Sequence, residues 1–267
     1  MFCKLYLGLA VLLDALVSVF TVDSWLDFWI PIVLIPAFFI GFIILHLLFV
    51  SIVAIFIDIK KPVENPNRFF RWWVDHTMVL LLSLMRVKLN VSGIEKIPTD
   101  RRFLMVSNHR SGFDPIVSIV AFMKFGIIYI SKPENFKIPV AAQFIHKSGF
   151  LAIDRENARN AMKTIHKATD YVKEDKASVC IYPEGTRSKN GELLEFKDGV
   201  FYVCKKAPCP VVAITVQNTE NVLKNFPFKK TEININVLTV LEPDCFADKS
   251  THELSEEVRS LMQESLK

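Results

Sequence analysis

The sequence predicts an α/β domain, built on one central and mostly β sheet flanked by helices, with an apolar helical segment in front of it. Three observations predict this. After residue 86, seven short β-rich runs alternate with helical stretches, which is typical of α/β domains. Before residue 58, one uncharged stretch is long enough to cross a bilayer. The charge is divided, because residues 1–58 carry −3 of a net +4 and the remainder therefore carries +7.

The N-terminal segment predicts two membrane helices. Residues 30–57 read IPIVLIPAFFIGFIILHLLFVSIVAIFI without a charge. As a helix this run extends about 42 Å, more than the roughly 30 Å of bilayer hydrocarbon, so we expect it to tilt, kink or follow the interface. Residues 5–20 are apolar but shorter and include Asp14, which predicts a second, shallower helix paired with the first. A signal peptide is the alternative, and the absence of a small-residue cleavage site disfavours it.

Residues 59–86 predict an interfacial connection. Cations and tryptophans follow the long apolar run, a mixture typical of an anionic headgroup layer: Lys60, Lys61, Arg68, Arg71, Trp72 and Trp73. They predict that the globular part lies on the cytoplasmic face of the cell membrane. Residues 72–85 are too short to span and predict an interfacial helix. The predicted units are a membrane-embedded hairpin (1–58), an interfacial linker with an amphipathic helix (59–86) and an α/β domain (87–267).

The seven β-rich runs of the globular part are KLNVSG, RFLMVSN, GIIYISK, GFLAIDR, SVCIYPE, PVVAITV and EININVLTVL. Between the fourth and the fifth, apolar residues recur at helical spacing from Ala158 to Val172. The basic excess alone suits nucleic acid, an anionic membrane or a phosphorylated substrate. The sequence has no Walker-type loop, no zinc-spaced cysteines and no interleaved aromatic and basic nucleic-acid motif. Its five sparse cysteines predict a reducing compartment.

A histidine and an aspartate follow the second β-rich run. His109 stands at the C-terminal end of that strand, where α/β sheets place their sites, and Asp114 opens the next helix. The carboxylate can hold one imidazole nitrogen as a donor, which leaves the other free to take a proton from a hydroxyl. The pattern alone is weak, and a helix N-cap by Asp114 beside a merely polar His109 is the alternative.

Two further strand ends deliver arginines. The sequence Tyr182 to Ser188 (YPEGTRS) ends a strand sharply and leaves Arg187 near free backbone N–H groups, a suitable cradle for phosphate. Glu184 would position that arginine or a substrate hydroxyl. Arg155 ends the fourth run, where it offers a second phosphate contact, although an Asp154–Arg155 structural pair explains it equally well.

Taken in order, these blocks resemble the glycerolipid acyltransferase family, and in particular its bacterial-type 1-acylglycerol-3-phosphate (lysophosphatidate) acyltransferases. The resemblance covers roughly residues 88–216. The matching residues are Asn108, His109, Ser111 and Asp114; Lys132, Glu134, Pro139, Gly149, Ile153, Asp154 and Arg155; Tyr182 to Ser188, Phe196, Lys197 and Gly199; and Pro210, Val211 and Val212. Tyr182 departs from the phenylalanine usual in the family.

The resemblance implies transfer of a fatty acyl group from acyl carrier protein or coenzyme A to the sn-2 hydroxyl of lysophosphatidate, which yields phosphatidate. His109 would be the general base and Asp114 would orient it. Phosphate binding is assigned to Arg187 and Arg155, with Glu184, Gly185 and Thr186 shaping the pocket and Lys132 assisting by family position. No metal and no cofactor are expected.

Three alternatives accompany this reading. The acceptor could be another lysophospholipid or glycerol 3-phosphate, because all of them present phosphate. The chain could be a non-catalytic membrane-bound phospholipid-binding protein. It could also be an interfacial hydrolase or thioesterase, for which Ser111 is the one nearby nucleophile.

Overall fold

A computed structural model of the chain describes residues 1–188 and 191–267, and all structural statements below concern those residues. Seven strands form one mixed sheet, and each coincides with one of the predicted β-rich runs. The strands are β1 Val87–Ser92, β2 Leu104–Ser107, β3 Ile128–Ser131, β4 Leu151–Ala152, β5 Val179–Ile181, β6 Val211–Gln217 and β7 Thr231–Leu241. Their order across the sheet is β1-β7-β6-β2-β5-β3-β4.

The sheet has two strand directions. The five strands β6, β2, β5, β3 and β4 run parallel to one another. Strand β7 is antiparallel to β6 and parallel to β1, so these two run the opposite way. Consequently the C-terminal ends of β2, β5 and β6 share one edge of the sheet with the first residues of β1 and β7. We call this edge the site edge.

Helices cover both faces of the sheet. They are α1 Phe2–Thr21, α2 Trp29–Ile55, α3 Arg68–Leu84, α4 Asp114–Ala121, α5 Ala141–Lys147, α6 Ala158–Lys173, α7 Tyr202–Lys206, α8 Val222–Asn225 and α9 Thr251–Leu266. Helix α3 packs on α4 and α5, while α6 packs on α7 and on strands β4 and β5. Helices α4 and α5 thus lie on one face and α6 and α7 on the other. Right-handed crossovers explain this, because the connections through α4 and α5 progress across the sheet in one direction and those through α6 and α7 in the other.

The parallel strands form the centre of the core. Strands β2 and β5 are buried along their whole length, as expected where both faces of a parallel sheet are covered. The predicted helix from 158 to 172 is present as α6, and Asn157 caps it by accepting a hydrogen bond from the Asn160 backbone N–H at 3.1 Å. Its residues Ile165, Thr169 and Val172 are buried.

The N-terminal helices α1 and α2 pair with each other, and both are long and apolar enough to cross a membrane. Tyr6 and His46 join them through a hydrogen bond of 2.8 Å between Oη and Nδ1. The C-terminal end of α2 packs against the globular part, since Val50 and Ala54 belong to the same hydrophobic core as the sheet. The boundaries proposed at residues 58 and 86 stay predictions.

Helix α3 begins at Arg68, four residues before the predicted start, because Asn67 caps it by accepting from the Phe69 and Phe70 backbone N–H groups. The expectation that Arg71 faces lipid headgroups is wrong. Its guanidinium is buried, donates to Asp75 Oδ1 at 2.7 Å and lies 5.4 Å from the Phe150 ring centroid. Helical spacing places Arg71 and Asp75 together on the face that packs against the sheet.

The linker before α3 closes over the domain at Gly149. This residue has a φ of +83°, and a Cβ at this position would lie 2.8 Å from Pro66 Cγ. Glycine therefore permits both the left-handed backbone and the close approach of the linker to the start of β4.

Candidate active site

The site is centred on the loop that follows β2. Asp114, fully buried, accepts through Oδ2 from His109 Nδ1 at 2.8 Å and from the backbone N–H groups of Arg110 and Ser111 at 2.6 and 2.7 Å. Its other oxygen, Oδ1, accepts from the Thr219 hydroxyl. All four groups donate hydrogen bonds to Asp114, and three of them belong to the loop after β2. The loop is therefore folded around this one carboxylate.

The position of Asp114 in the helix tests one part of the alternative interpretation, which is a helix N-cap by this residue. The residue is the first residue of α4, and its carboxylate receives N–H groups of the preceding loop. The expectation of an N-cap by Asp114 is therefore wrong, and the role of His109 as a base stays a prediction.

His109 is held ready to accept a proton. The Asp114 carboxylate can only accept, so the bond to it places the imidazole hydrogen on Nδ1 and the lone pair on Nε2. Within residues 1–188 and 191–267, Nε2 has no hydrogen-bond partner. Tyr182 packs its ring 4.6 Å from the imidazole centroid, which limits the rotation of the imidazole.

The backbone of the same loop is tied to two other segments. Asn108 makes a reciprocal pair with Val216 on β6, donating to its carbonyl at 2.9 Å and accepting from its N–H at 2.7 Å. The His109 carbonyl accepts from the Ser188 N–H at 2.8 Å. These bonds join the ends of β2 and β6 and the YPEGTRS turn into one rigid unit at the site edge.

Glu184 is placed differently from the sequence-based expectation. It is buried, and its two oxygens accept from the backbone N–H groups of His109 and Leu194. The resemblance assigns it to phosphate binding, but both of its oxygens are engaged by these backbone N–H groups. The geometry makes Glu184 a positioning residue that fixes the loop after β2 against the YPEGTRS turn.

Burial raises the pKa of Glu184 to about 7, from an ordinary value of 4.5, and the nearby Asp114 adds to the rise, while hydrogen bonds from Leu194 and His109 oppose it. The folded chain therefore holds this proton more tightly than the unfolded chain. The resulting stabilisation is complete below pH 4.5 and is lost as pH rises through about 7.

We accordingly expect Glu184→Gln to flatten the pH dependence of stability, because the amide does not titrate. The wild-type chain should lose up to about 3 kcal/mol of unfolding free energy between pH 4.5 and 7 relative to the variant. Denaturant unfolding of the full chain in detergent at several pH values measures this. The exposed Glu156 provides the matched control, Glu156→Gln. Parallel stability curves for wild type and Glu184→Gln would contradict the assignment.

A cleft of about 480 Å³ adjoins the loop, and Arg110, the residue after His109, forms part of its wall. The lining residues are Arg110, Thr186, Arg187, Ser188, Gly191, Glu220 and Lys224. Three cations face one carboxylate, and Glu220 lies 3.6 Å from the Arg110 guanidinium. The remaining excess of positive charge makes the cleft suitable for a doubly charged anion such as a phosphate monoester.

The predicted phosphate-binding residues are distributed unevenly around this cleft. Arg187 and Thr186 line it. Gly185, with φ +68°, forms the turn before them and donates its N–H to the Tyr182 carbonyl at 3.1 Å.

Arg155 and Lys132 are not among the lining residues. Desolvation lowers the pKa of Arg155, Glu134 opposes this and repulsion from Arg187 reinforces it, so Arg155 lies within electrostatic range of the cleft. Lys132 follows β3 at the site edge and is exposed.

Sequence reasoning missed three charged cleft residues, Arg110, Glu220 and Lys224. Arg110 could have been found, because it lies inside the histidine block itself. Lys224 and Glu220 carry no sequence signal, since they follow β6 more than a hundred residues later.

Ser111, the candidate nucleophile of the hydrolase alternative, accepts from the Phe113 N–H at 3.2 Å and makes no hydrogen bond to His109 in the described structure. Such chemistry uses a hydrogen bond between the nucleophile and the base, and this bond is not formed between Ser111 and His109.

The fold and the site together define a seven-stranded α/β domain that holds a buried histidine–aspartate pair at a strand end, beside a basic cleft. The family model described as Acyltransferase matches residues 88–217, which is slightly less than half of the chain.

Relatives and one solved structure agree. The 1-acyl-sn-glycerol-3-phosphate acyltransferase of Saccharomyces cerevisiae is 29% identical over 196 residues, covering 72% of this chain and 63% of that protein. The protein of the same name from Escherichia coli is 26% identical over 61% of this chain and 66% of its own length. The matches thus span slightly less than two thirds of these relatives. The crystal structure of the 1-acyl-sn-glycerophosphate (LPA) acyltransferase PlsC from Thermotoga maritima has the same fold, with a TM-score of 0.61, 21% identity and coverage of 82% of this chain and 86% of that one.

Proposed function

We propose that the chain is a 1-acyl-sn-glycerol-3-phosphate acyltransferase, which transfers a fatty acyl group from a thioester to the sn-2 hydroxyl of lysophosphatidate. One observation carries the proposal: the His109–Asp114 pair stands directly beside a cleft with three cations and one carboxylate. The base would act on the hydroxyl while the cleft holds the phosphate. The names of the relatives support the same substrate.

In the proposed reaction, Nε2 of His109 takes the proton of the acceptor hydroxyl as its oxygen attacks the thioester carbonyl. A C–O bond forms and a tetrahedral intermediate results. Its collapse breaks the C–S bond, and the leaving thiolate receives the proton from the imidazolium. Asp114 stabilises the imidazolium between these steps. The residues complete this cycle without a metal, a cofactor or a covalent enzyme intermediate.

The donor and the orientation are part of the proposal. Coenzyme A and acyl carrier protein thioesters are both compatible with the mechanism, and both occur in the cytoplasm. We place the α/β domain on the cytoplasmic face, which the exposed cations Lys60, Lys61 and Arg68 after α2 support through the positive-inside rule.

An acceptor panel tests the function. The purified full chain, in detergent, is given acyl-coenzyme A or acyl carrier protein thioester with lysophosphatidate, glycerol 3-phosphate or lysophosphatidylcholine. We expect lysophosphatidate to be the preferred acceptor. Equal use of lysophosphatidylcholine would show that the enzyme does not recognise a phosphate monoester. Preference for glycerol 3-phosphate would show that the acceptor is glycerol 3-phosphate and not lysophosphatidate.

Arg187 tests the phosphate assignment itself. We expect Arg187→Ala to lower kcat/KM for lysophosphatidate by an amount that corresponds to roughly 2 to 4 kcal/mol of activation free energy. The reason is the loss of a bidentate, charge-assisted contact that also positions the hydroxyl. Arg187→Lys should recover little, since lysine offers a point charge in place of a planar fork. The loss should be much smaller for an acceptor without a terminal phosphate.

The matched control is Arg101→Ala, which removes an exposed arginine that pairs with Glu242 at 3.1 Å near the opposite edge of the sheet. A loss for Arg187→Ala that is equal on all acceptors, or confined to the acyl donor, would show that Arg187 does not bind the lysolipid phosphate.

A further inference from the structure

The connection between β6 and β7 exposes three large apolar side chains. Leu223, Phe226 and Phe228 are 69%, 42% and 86% exposed. In the described residues from Val87 onward, Ile138 is the only other large apolar side chain with comparable exposure. Three exposed lysines, Lys224, Lys229 and Lys230, accompany them. We call residues 223–230 the apolar-basic loop.

The backbone of this loop is fixed. Phe226 donates its N–H to the Val222 carbonyl at 3.1 Å, and Lys229 donates to the Asn225 carbonyl at 2.7 Å. Arg86 donates through Nη1 to the carbonyls of Pro227 and Phe228 at 3.0 and 3.2 Å. The rings are therefore held outward by a bonded backbone, and their exposure calls for a partner.

The loop lies at the same edge as the candidate active site. It follows the end of β6, which is parallel to β2, and His109 follows the end of β2. Lys224 belongs both to the loop and to the wall of the cleft. A partner that covers the loop would thus border the mouth of the cleft.

The N-terminal helices project beyond the same edge. His46 contacts Thr77 through a 3.2 Å hydrogen bond, and the Phe49 ring centroid lies 5.0 Å from that of Trp73, so α2 runs antiparallel to α3. From His46, α2 extends about 25 Å to Trp29, whereas α3 extends only about 10 Å from Thr77 to its end. The end of α3 leads to Arg86, which holds the loop.

We propose that the apolar-basic loop is a second membrane contact, which docks on an anionic lipid bilayer next to the mouth of the cleft. The three apolar side chains enter the boundary between headgroups and acyl chains, and the lysines lie among anionic headgroups, each strengthening the contact roughly fivefold. The inference rests on insertion of α1 and α2 into the bilayer and is independent of the reaction catalysed.

The chain's own cysteines allow a matched test. Cys245 is exposed and follows the end of β7, at the edge opposite the loop, while Cys180, Cys204 and Cys209 are buried. One reporter protein carries Cys3→Ser and an environment-sensitive fluorophore on Cys245. The other carries Cys3→Ser, Cys245→Ser and Phe228→Cys with the same fluorophore. Leu223→Cys replaces Phe228→Cys if the latter does not fold.

Both reporters are added to phosphatidylcholine vesicles with and without phosphatidylglycerol, containing lipids brominated in the acyl chain. On anionic vesicles we expect the label at position 228 to shift to the blue and lose most of its emission, while the label at Cys245 changes little. Adding Lys229→Gln and Lys230→Gln should bring quenching at position 228 close to that at Cys245.

Equal quenching at the two positions, or emission at position 228 that is the same in solution and on vesicles, overturns the proposal. A response at position 228 to an acidic acyl carrier protein but not to vesicles also overturns it and assigns the loop to the carrier protein.

Discussion

His109→Ala is expected to lower the rate of acyl transfer by roughly a hundred- to ten-thousand-fold, the usual contribution of a positioned general base. Its Nδ1 is held by Asp114 at 2.8 Å, and its Nε2 has no partner in the described structure, so the imidazole is arranged for proton transfer. Single-turnover measurement of acyl transfer to lysophosphatidate, with saturating donor, provides the rate. Membrane association and the unfolding midpoint should stay close to wild type, because the side chain is not part of the hydrophobic core.

A second histidine–aspartate pair in the chain offers the control. His252 Nδ1 lies 2.9 Å from Asp198 Oδ2, a bond like that between His109 and Asp114, but this histidine is exposed on α9 and does not line the cleft. His252→Ala should leave the rate unchanged. Appreciable residual transfer by His109→Ala, close to that of His252→Ala, would remove His109 as the base.

Asp114→Asn is expected to lower kcat by roughly a hundredfold or more, with a much smaller rise in the KM for the acceptor. The buried carboxylate accepts four hydrogen bonds, three of them at Oδ2. An amide has one oxygen for these donors. If the amide turns its NH2 group towards Nδ1 of His109, it favours the wrong tautomer. If it turns its oxygen towards Nδ1 and its NH2 group towards the Thr219 hydroxyl, the tautomer is kept, but the negative charge that stabilises an imidazolium is missing.

Steady-state kinetics over a range of acceptor concentrations separates kcat from KM for this variant. Asp198→Asn, in the exposed pair, is the matched control. An unchanged kcat would reduce Asp114 to a structural residue that shapes the loop.

Glu184 links the two segments that form this site, the loop after β2 and the YPEGTRS turn. Its carboxylate holds the His109 N–H on one side and the Leu194 N–H on the other. Glu184 thereby connects the loop that carries His109 to the segment that carries Arg187. A role in positioning predicts that substitutions at Glu184 change kcat and stability together, whereas a phosphate ligand would mainly change the KM for the acceptor.

Much of this architecture could be predicted from short stretches of sequence. All seven strands coincide with β-rich runs, α6 with an apolar stripe at helical spacing, and α1 and α2 with the two apolar segments. The bond between His109 and Asp114 could also be predicted, because only six residues lie between the end of β2 and the start of α4, which leaves few ways to separate the two side chains. Each of these features depends on neighbours along the chain.

What the tertiary structure decided involves segments far apart in the chain. The sheet order, with β7 between β1 and β6, parallel to β1 and antiparallel to β6, depends on crossovers that no single run encodes. The burial of Arg71 and the bonding of Glu184 to the backbone reversed our expectations for two charged residues, since a local pattern cannot tell which face of an element will be covered. Lys224 and Glu220 joined Arg110 and Arg187 in one cleft for the same reason: parallel strands end at one edge, and that edge brings together loops more than a hundred residues apart.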